Sequence, residues 1–394
     1  MKLSGECDSV SWSRPHAPEK IPPVMARRLS IVTSALGAGG AERVISLLAR
    51  HWVERGWKVT IIAFDRPGDP VYHPLHPEVA LVRLDLPGGA IAVPRRVRAL
   101  RAALKRERPD IAIGFLTKIN ALLLAAAIGI SIPLLVSERN NPSKQGAHPA
   151  WNRALRLLYR RADAIICQTA ASVACLPAKV RGRVRVIANP IMPPEATPAA
   201  SDSAIGKLVA VGRLTEQKGF DLLIDAFARI AGRHPGWTLD IWGEGGEREA
   251  LEEAIAAHGL AGRVRLPGVS VRPGGWAEGA SAFVLSSRYE GFPNVLGEAM
   301  ALGLPSLAFA CDFGPSELVD DSRNGLLVRA GDVAALADGL DRLLGDAPLR
   351  ARLGAAARSV AVRLGLDRIA GQWDSVIETL WAGQPARPVD EADG

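Results

Sequence analysis

Two glutamates spaced eight residues apart, Glu290 and Glu298, stand in the string Ser287-Arg288-Tyr289-Glu290-Gly291-Phe292-Pro293-Asn294-Val295-Leu296-Gly297-Glu298-Ala299. Pro293 suits the first turn of a helix, where its missing N–H costs nothing. Glu290 then falls in the loop ahead of that helix and Glu298 inside it. A carboxylate on a helix facing a cleft can accept hydrogen bonds from two hydroxyls of a sugar. Gly291 permits an unusual backbone geometry, leaving free amides from Gly291 to Val295 aimed into the cleft. Two cations, Arg213 and Lys218, occur in Val211-Gly212-Arg213-Leu214-Thr215-Glu216-Gln217-Lys218-Gly219-Phe220, between a strand and a helix. Cations at that edge can neutralise a diphosphate and stabilise the charge that builds as it departs. The earlier turn Gly37-Ala38-Gly39-Gly40-Ala41-Glu42-Arg43 also joins a strand to a helix. Its glycines let backbone amides approach a phosphate, and the helix start adds roughly half a positive charge. The spacing is not the dinucleotide fingerprint G-x-G-x-x-G, so the loop taken alone is a weak signal, with a simple tight turn as the alternative to a phosphate site.

Such residues act together only if the fold brings them to one place. Short β-branched runs alternate with longer helical stretches, the pattern of a parallel sheet wrapped by helices. The first half reads as strands Leu29–Thr33, Lys58–Ala63, Val79–Leu84, Ile111–Phe115, Leu134–Ser137, Ala164–Cys167 and Val184–Ile187. Helices Glu42–Arg55, Pro94–Glu107 and Trp151–Arg161 lie between them. The pattern restarts with strands Lys207–Val211, Thr238–Trp242, Val264–Leu266, Ala282–Leu285 and Ser306–Ala310, and beyond Val328 it reads as helices. The expected division is a disordered leader (1–26), a Rossmann-like domain (27–190), a linker (191–205), a second Rossmann-like domain with terminal helices (206–382) and a tail (383–394). A chain of 394 residues has room for two such domains at about 150 residues each. This is an α/β fold with two sheets facing each other. Ligands of such sheets bind at the carboxyl ends of the strands, so a cleft between the halves is the expected site.

Taken together, Gly39-Gly40-Ala41-Glu42, Gly212-Arg213 with Lys218-Gly219, Trp242-Gly243-Glu244-Gly245 and the Glu290–Glu298 pair resemble the retaining glycosyltransferases of family 4, which have the GT-B fold. The resemblance runs from about Arg28 to Trp381 with the motifs in order. Ser137-Glu138-Arg139-Asn140 and Asp312-Phe313-Gly314-Pro315-Ser316-Glu317 are similar to strings in bacterial members that extend undecaprenyl-diphosphate-linked or surface-polysaccharide oligosaccharides, N-acetylgalactosamine transferases among them.

The resemblance implies a metal-independent hexosyltransferase without a cofactor. Its donor would be a nucleotide-diphosphate sugar such as a UDP-sugar, carrying an N-acetylhexosamine or a hexose. Its acceptor would be a lipid-linked or polysaccharide glycan. Arg213 and Lys218 would hold the diphosphate with the amides of Gly39 and Gly40. Gly243 and the segment Gly291-Phe292-Pro293-Asn294-Val295 would line the donor site. Glu298 would bind the ribose hydroxyls, and Glu290 would contact the donor sugar and stabilise charge near the anomeric carbon. Many family members place a histidine in the first-half cleft. The corresponding Gly114-Phe115-Leu116-Thr117-Lys118-Ile119-Asn120 has none, and Thr117, Lys118 and Asn120 stand as substitutes on the acceptor side with Glu138, Arg139 and Asn140. Two rivals remain: a UDP-sugar 2-epimerase-like isomerase on the same scaffold, and a non-catalytic subunit that binds nucleotide sugar. The first needs cleft acids and bases not found at the expected positions. Intact Arg213, Lys218, Glu290 and Glu298 oppose the second.

Charge is unevenly distributed. Residues 27–190 hold 26 Lys and Arg against 10 Asp and Glu, whereas residues 191–394 hold 19 against 28. A basic half implies an anionic partner. Arg95, Arg96, Arg98, Arg101, Lys105, Arg106 and Arg108 share one helix with Val97, Leu100 and Leu104, which can lie against anionic lipid or pack on the sheet as a surface helix. No aromatic stacking motif accompanies the charge, so nucleic acid is not expected. The four cysteines form no C-x-x-C pair, which fits a reducing compartment. His73 and His76 read as part of a proline-rich loop, with no metal site. Met1 to Pro23 has no signal-peptide core, and the apolar run Ala121–Val136 is broken by Gly129 and Pro133, reading as a buried helix and then a strand. The expected location is the cytoplasm, at the inner face of the cytoplasmic membrane.

Overall fold

A computed structural model describes residues 27–89, 91–139, 149–199 and 205–382. The expected leader and tail, Asn140 and residues 200–204 of the expected linker lie outside the described residues.

Seven strands build the first sheet: β1 (Arg28–Thr33), β2 (Lys58–Ala63), β3 (Ala80–Arg83), β4 (Ile111–Phe115), β5 (Leu134–Ser137), β6 (Ala164–Cys167) and β7 (Val184–Val186), in the order β3-β2-β1-β4-β5-β6-β7. Six build the second: β8 (Gly206–Val211), β9 (Trp237–Trp242), β10 (Val264–Gly268), β11 (Ala282–Leu285), β12 (Ser306–Ala310) and β13 (Leu326–Arg329), in the order β10-β9-β8-β11-β12-β13. All the pairings are parallel; Ile31 of β1 stands between Ile61 of β2 and Ile113 of β4. A parallel strand is covered on both faces, which is why β4, β6 and β11 are buried along their whole length. Alternate residues serve opposite faces. Leu29 and Ile31 join Leu48 and Trp52 of the helix Gly40–Glu54, while Val32 joins Leu100 and Leu104 of the helix Val93–Glu107. In β8 the same alternation sends Val209 toward Leu296 and Met300, and Leu208 and Ala210 toward Phe227 and Leu340.

Strand order reverses between β1 and β4 in one sheet and between β8 and β11 in the other. Loops leaving neighbouring strands diverge at such a point and open a crevice at the carboxyl edge. The glycine turn after β1, Leu116 after β4, Gly212–Lys218 after β8 and Ser286–Pro293 after β11 all leave from there.

Two features depart from the sequence expectation. β13 is an edge strand of four residues ending at Arg329, and the helices begin only at Val333. Only Leu326 of this strand is buried, with Arg329 exposed at its end, so it lacks the fully buried apolar run of β5, β6 and β11. The last helix, Leu366–Ala382, packs back on the first half rather than on the sheet that precedes it. Trp373 stacks on Phe115 at 5.8 Å and meets Trp52 edge-on at 6.2 Å, and Trp52 Nε1 donates to Asp374 Oδ1 at 2.9 Å. One apolar cluster consequently runs through both halves, from Ile31 and Phe115 through Ile191 to Val209 and Trp373.

Among the described residues no helix is long and apolar enough to cross a membrane. The basic helix Val93–Glu107 buries Leu100, Ala103 and Leu104 against the protein itself, so its apolar side is already occupied. Arg96 stacks on Phe64 and Arg101 donates to the Ala126 carbonyl, while Arg95, Arg98, Lys105 and Arg106 are exposed.

Candidate active site in the cleft

The crevices of the two sheets face each other across a cavity of about 670 Å³, within the range of about 300–1,000 Å³ usual for small-molecule sites. Its lining includes Gly39, Gly40, Arg213, Lys218, Gly243, Glu290, Glu298 and the whole segment Gly291-Phe292-Pro293-Asn294-Val295.

The second half supplies the charged centre. Lys218 ends a short turn, Glu216–Lys218, and its carbonyl accepts from Ser286 Oγ at 2.9 Å. Lys218 Nζ then donates to Glu290 Oε1 at 2.6 Å, and Ser287 Oγ donates to the same oxygen at 2.6 Å. Glu290 is itself tied to the loop before the next short helix, through its amide and the Asp312 carbonyl at 3.1 Å. Arg288 grips Asp221 with two hydrogen bonds of 2.8 and 2.6 Å, which locks the loop after β11 to the start of the helix Phe220–Ile230. Arg213 is exposed at the cleft, and its charge reaches Glu42 of the other half. Gly243 has φ 144°, and a Cβ there would stand 1.9 Å from the Gly212 carbonyl oxygen. Only glycine lets these two loops touch.

Gly291 does not adopt the unusual geometry expected of it. Positive φ occurs instead in the facing loop, at Phe313 (φ 62°) and Gly314 (φ 97°), and a Cβ on Gly314 would stand 2.3 Å from Pro293 Cδ. Pro293 precedes the first helical residue instead of opening the helix Asn294–Ala301, and the Asn294 amide is held by the Phe292 carbonyl at 3.0 Å. Asn294 works through its side chain: Nδ2 donates to the Gly40 carbonyl at 2.9 Å, across the cleft, and Oδ1 accepts from Asn189 Nδ2 at 2.5 Å.

The first half supplies the glycine turn and a buried polar wall. Gly39 starts the helix Gly40–Glu54 without a side-chain cap, and Glu42 folds its carboxylate back over Gly39. Burial pushes that carboxyl upward, against its own amide and the charge of Arg213. Arg43, from the next position, reaches Glu298 Oε1 at 3.5 Å. Burial drives the Glu298 carboxyl up to about 7, and Arg43 pulls it the other way.

The expected acceptor-side group is divided. Glu138 and Arg139 are successive residues at the end of β5 and point to opposite sides. Glu138 is sealed beneath the cleft, accepting from Thr117 Oγ1 at 2.7 Å and Asn120 Nδ2 at 3.1 Å. Burial raises it to about 7. Thr117, Asn120 and Glu138 do not line the cavity, and Lys118 is exposed outside it. Arg139 does line it, lying over the Phe115 ring at 4.6 Å and donating to Asn189 Oδ1. Burial lowers its pKa to about 9. Beside it is Leu116, a non-glycine residue held at φ 78°.

Sequence reasoning passed over Arg43, Tyr72, His73, Leu116, Gln168 and Asn189, all of which line the cavity. Arg43 and His73 stood in quoted strings without an assigned role, and Leu116 lacked any polar atom to draw notice. Asn189, in Ala188-Asn189-Pro190, was read as the end of a domain.

Two facing parallel sheets with the site between their carboxyl edges define a GT-B protein. Residues 38–193 match the family model described as Glycosyltransferase Family 4, and residues 200–360 match that of glycosyl transferases group 1. The chain belongs to the family 4 glycosyltransferases and is a transferase enzyme. It is 30% identical over 80% of its length to the lipopolysaccharide core biosynthesis glycosyltransferase LpsD of Rhizobium meliloti, covering 88% of that protein. It is 28% identical over 89% of its length to a Campylobacter jejuni α-1,4-N-acetylgalactosaminyltransferase that acts on an undecaprenol-diphosphate-linked oligosaccharide, covering 98% of it. An exopolysaccharide phosphotransferase of Streptomyces coelicolor is 31% identical over 75% of the chain, which spans only 31% of that longer protein. Among solved structures, sucrose-phosphate synthase from Thermosynechococcus elongatus superposes with a TM-score of 0.80 at 22% identity over 91% of this chain and 100% of that one. HepE from Anabaena, solved with UDP and glucose, superposes at 0.73 and 20% identity over 90% of this chain and 100% of that one.

Proposed function

We propose that the chain is a retaining glycosyltransferase of bacterial glycan assembly. It moves an N-acetylhexosamine or hexose from a UDP-sugar to a lipid-linked or polysaccharide acceptor, without a metal. The observation that carries this reading is the Lys218–Glu290 pair, 2.6 Å apart at the cavity wall and flanked by Arg213 and the glycine turn. Burying an ion pair gives little net stability, so its place at the cleft favours a working role. An ammonium held there meets the charge of a departing diphosphate, as Arg213 does from the exposed side. The bond from the anomeric carbon to the diphosphate oxygen breaks while the acceptor oxygen bonds to the same face. The acceptor's proton passes to the leaving phosphate, and Glu290 stabilises the positive charge near the anomeric carbon. Glu298 accepts from the ribose hydroxyls. The undecaprenol-linked acceptor of the Campylobacter relative and the role of the Rhizobium relative in lipopolysaccharide core biosynthesis support the acceptor class, and UDP in HepE supports the nucleotide. Exposed Arg95, Arg98, Lys105 and Arg106 offer electrostatic contact with an anionic inner membrane face.

The test is UDP release and glycan transfer from a panel of UDP-sugars to undecaprenyl-diphosphate-linked acceptors. Lys218→Ala and Glu290→Ala should each lower kcat by about 10²–10³ per folded molecule, and chelators should leave the rate intact. Full activity in both variants overturns the assigned roles. A new nucleotide sugar formed from UDP-N-acetylglucosamine without acceptor would favour the isomerase instead.

A further inference from the structure

One buried group in the cavity has no part in that scheme. His73 lies in the loop after β2, is 8% exposed and lines the cavity, yet neither Nδ1 nor Nε2 has a partner in full hydrogen-bonding geometry; the Gly39 backbone stands close enough only to favour a proton on the ring. Buried polar atoms are almost always paired, and an unpaired one in a cavity is matched by a ligand or a water.

The loop that carries it is fixed from several sides. The Tyr72 amide donates to the Leu36 carbonyl at 3.0 Å, and Ser46 Oγ donates to the Pro74 carbonyl at 2.5 Å. From across the cleft the loop is pinned by the Tyr72 hydroxyl, which donates to the Ser270 carbonyl at 2.8 Å. The Tyr72 ring stands edge-on to the imidazole at 4.9 Å. His73 therefore sits over the cavity on a backbone anchored to both halves.

Its neighbours place it at one end of the site. Arg43, whose guanidinium stands 3.5 Å from Glu298, acts on both Tyr72 and His73, and the charge of Glu298 acts on Tyr72. Burial, reinforced by Arg43, pushes the imidazole down to about 4, and the Gly39 backbone offsets only part of this. The ring is neutral at physiological pH and offers one N–H donor and one bare acceptor nitrogen. A hydroxyl satisfies such a ring in either tautomer, since it both donates and accepts. A phosphate oxygen can only accept, and a cation is repelled by Arg43.

We propose that His73 reads a hydroxyl of the donor's ribose, closing from the first half over the sugar ring that Glu298 holds from the second. The inference rests on the donor reading above. It makes the nucleoside subsite a joint product of both halves and gives the enzyme a preference for ribonucleoside over deoxyribonucleoside diphosphates.

The experiment is calorimetric binding of UDP, 2′-deoxy-UDP and 3′-deoxy-UDP to the wild type, His73→Phe, His73→Gln and Glu298→Ala, with melting curves as a folding control. The wild type should bind UDP at least about tenfold more tightly than one of the deoxy analogues, because a site built to bond a hydroxyl rejects the analogue lacking it. His73→Phe should lose about tenfold for UDP and little for that analogue, so that discrimination collapses, and His73→Gln should restore part of it. Equal losses for all three ligands, or discrimination that survives in His73→Phe and vanishes only in Glu298→Ala, overturn the proposal while leaving the donor reading standing. A wild type that does not bind UDP overturns both.

Discussion

Glu138 follows β5 in the first half and Glu298 lies on a helix of the second half; burial pushes each carboxyl up to about 7. Their surroundings differ. Glu138 is enclosed by neutral donors, Thr117 and Asn120, and has no opening to the cleft. Glu298 lines the cavity, and its charged partner among the described residues, Arg43, comes from the opposite half. Burial and titration alone would rank them equally. Access to the cavity and the origin of the partner separate a group that holds the fold from one that can meet a ligand.

The largest separation should come from alanine at each position. Glu298→Ala should cost about 100-fold in kcat/KM, mostly through the donor KM, because it removes an acceptor of ligand hydroxyls. Glu138→Ala should leave kcat/KM per folded molecule nearly unchanged and lower unfolding stability by about 1–3 kcal/mol, since two buried donors lose their acceptor. Steady-state kinetics beside urea unfolding reads both, and the comparison breaks if the two losses are interchanged.

The next effect is on pH dependence. Both carboxyls bind a proton more tightly folded than unfolded, so stability is full below the unfolded value of 4.5 and is lost as pH rises through about 7. Glu138→Gln should flatten that decline by about 1–3 kcal/mol between pH 5 and 8, seen as a shallower fall of Tm. A variant that keeps the full slope would show that Glu138 titrates normally in the folded chain. The smallest effect is expected at the cross-cleft bond of Tyr72. Tyr72→Phe removes one neutral hydrogen bond of about 1 kcal/mol and should raise the donor KM only several-fold, with kcat unchanged. A loss as large as that of Glu298→Ala would make Tyr72 a ligand contact rather than a pin.

Much of the fold was legible because its signals are local. The β-branched runs of β1, β2, β4 and β11 carry their burial in their own composition, and glycines at turns mark where strands end. The charged string around Glu290 was legible for the same reason: its loop and helix are consecutive in the chain. The strand β13 is only partly buried at the sheet edge, so its composition does not mark it as β5 and β11 are marked. Glu138 and Arg139 leave β5 as successive residues, and only the tertiary structure says which of them meets the cavity. Neither Asn189 nor Asn294 carries in its residue type any sign of a partner in the other half.

The sequence by itself determined which residues could do chemistry and which elements bear them, because helix, strand and turn preferences act within a few residues. Tertiary structure alone decided which of them share a cavity. Asn294 meets Gly40 across 254 residues of chain, Arg43 meets Glu298, and the last helix returns to Trp52. Such meetings depend on how two sheets and a shared core pack in three dimensions, and spacing along the chain does not record them.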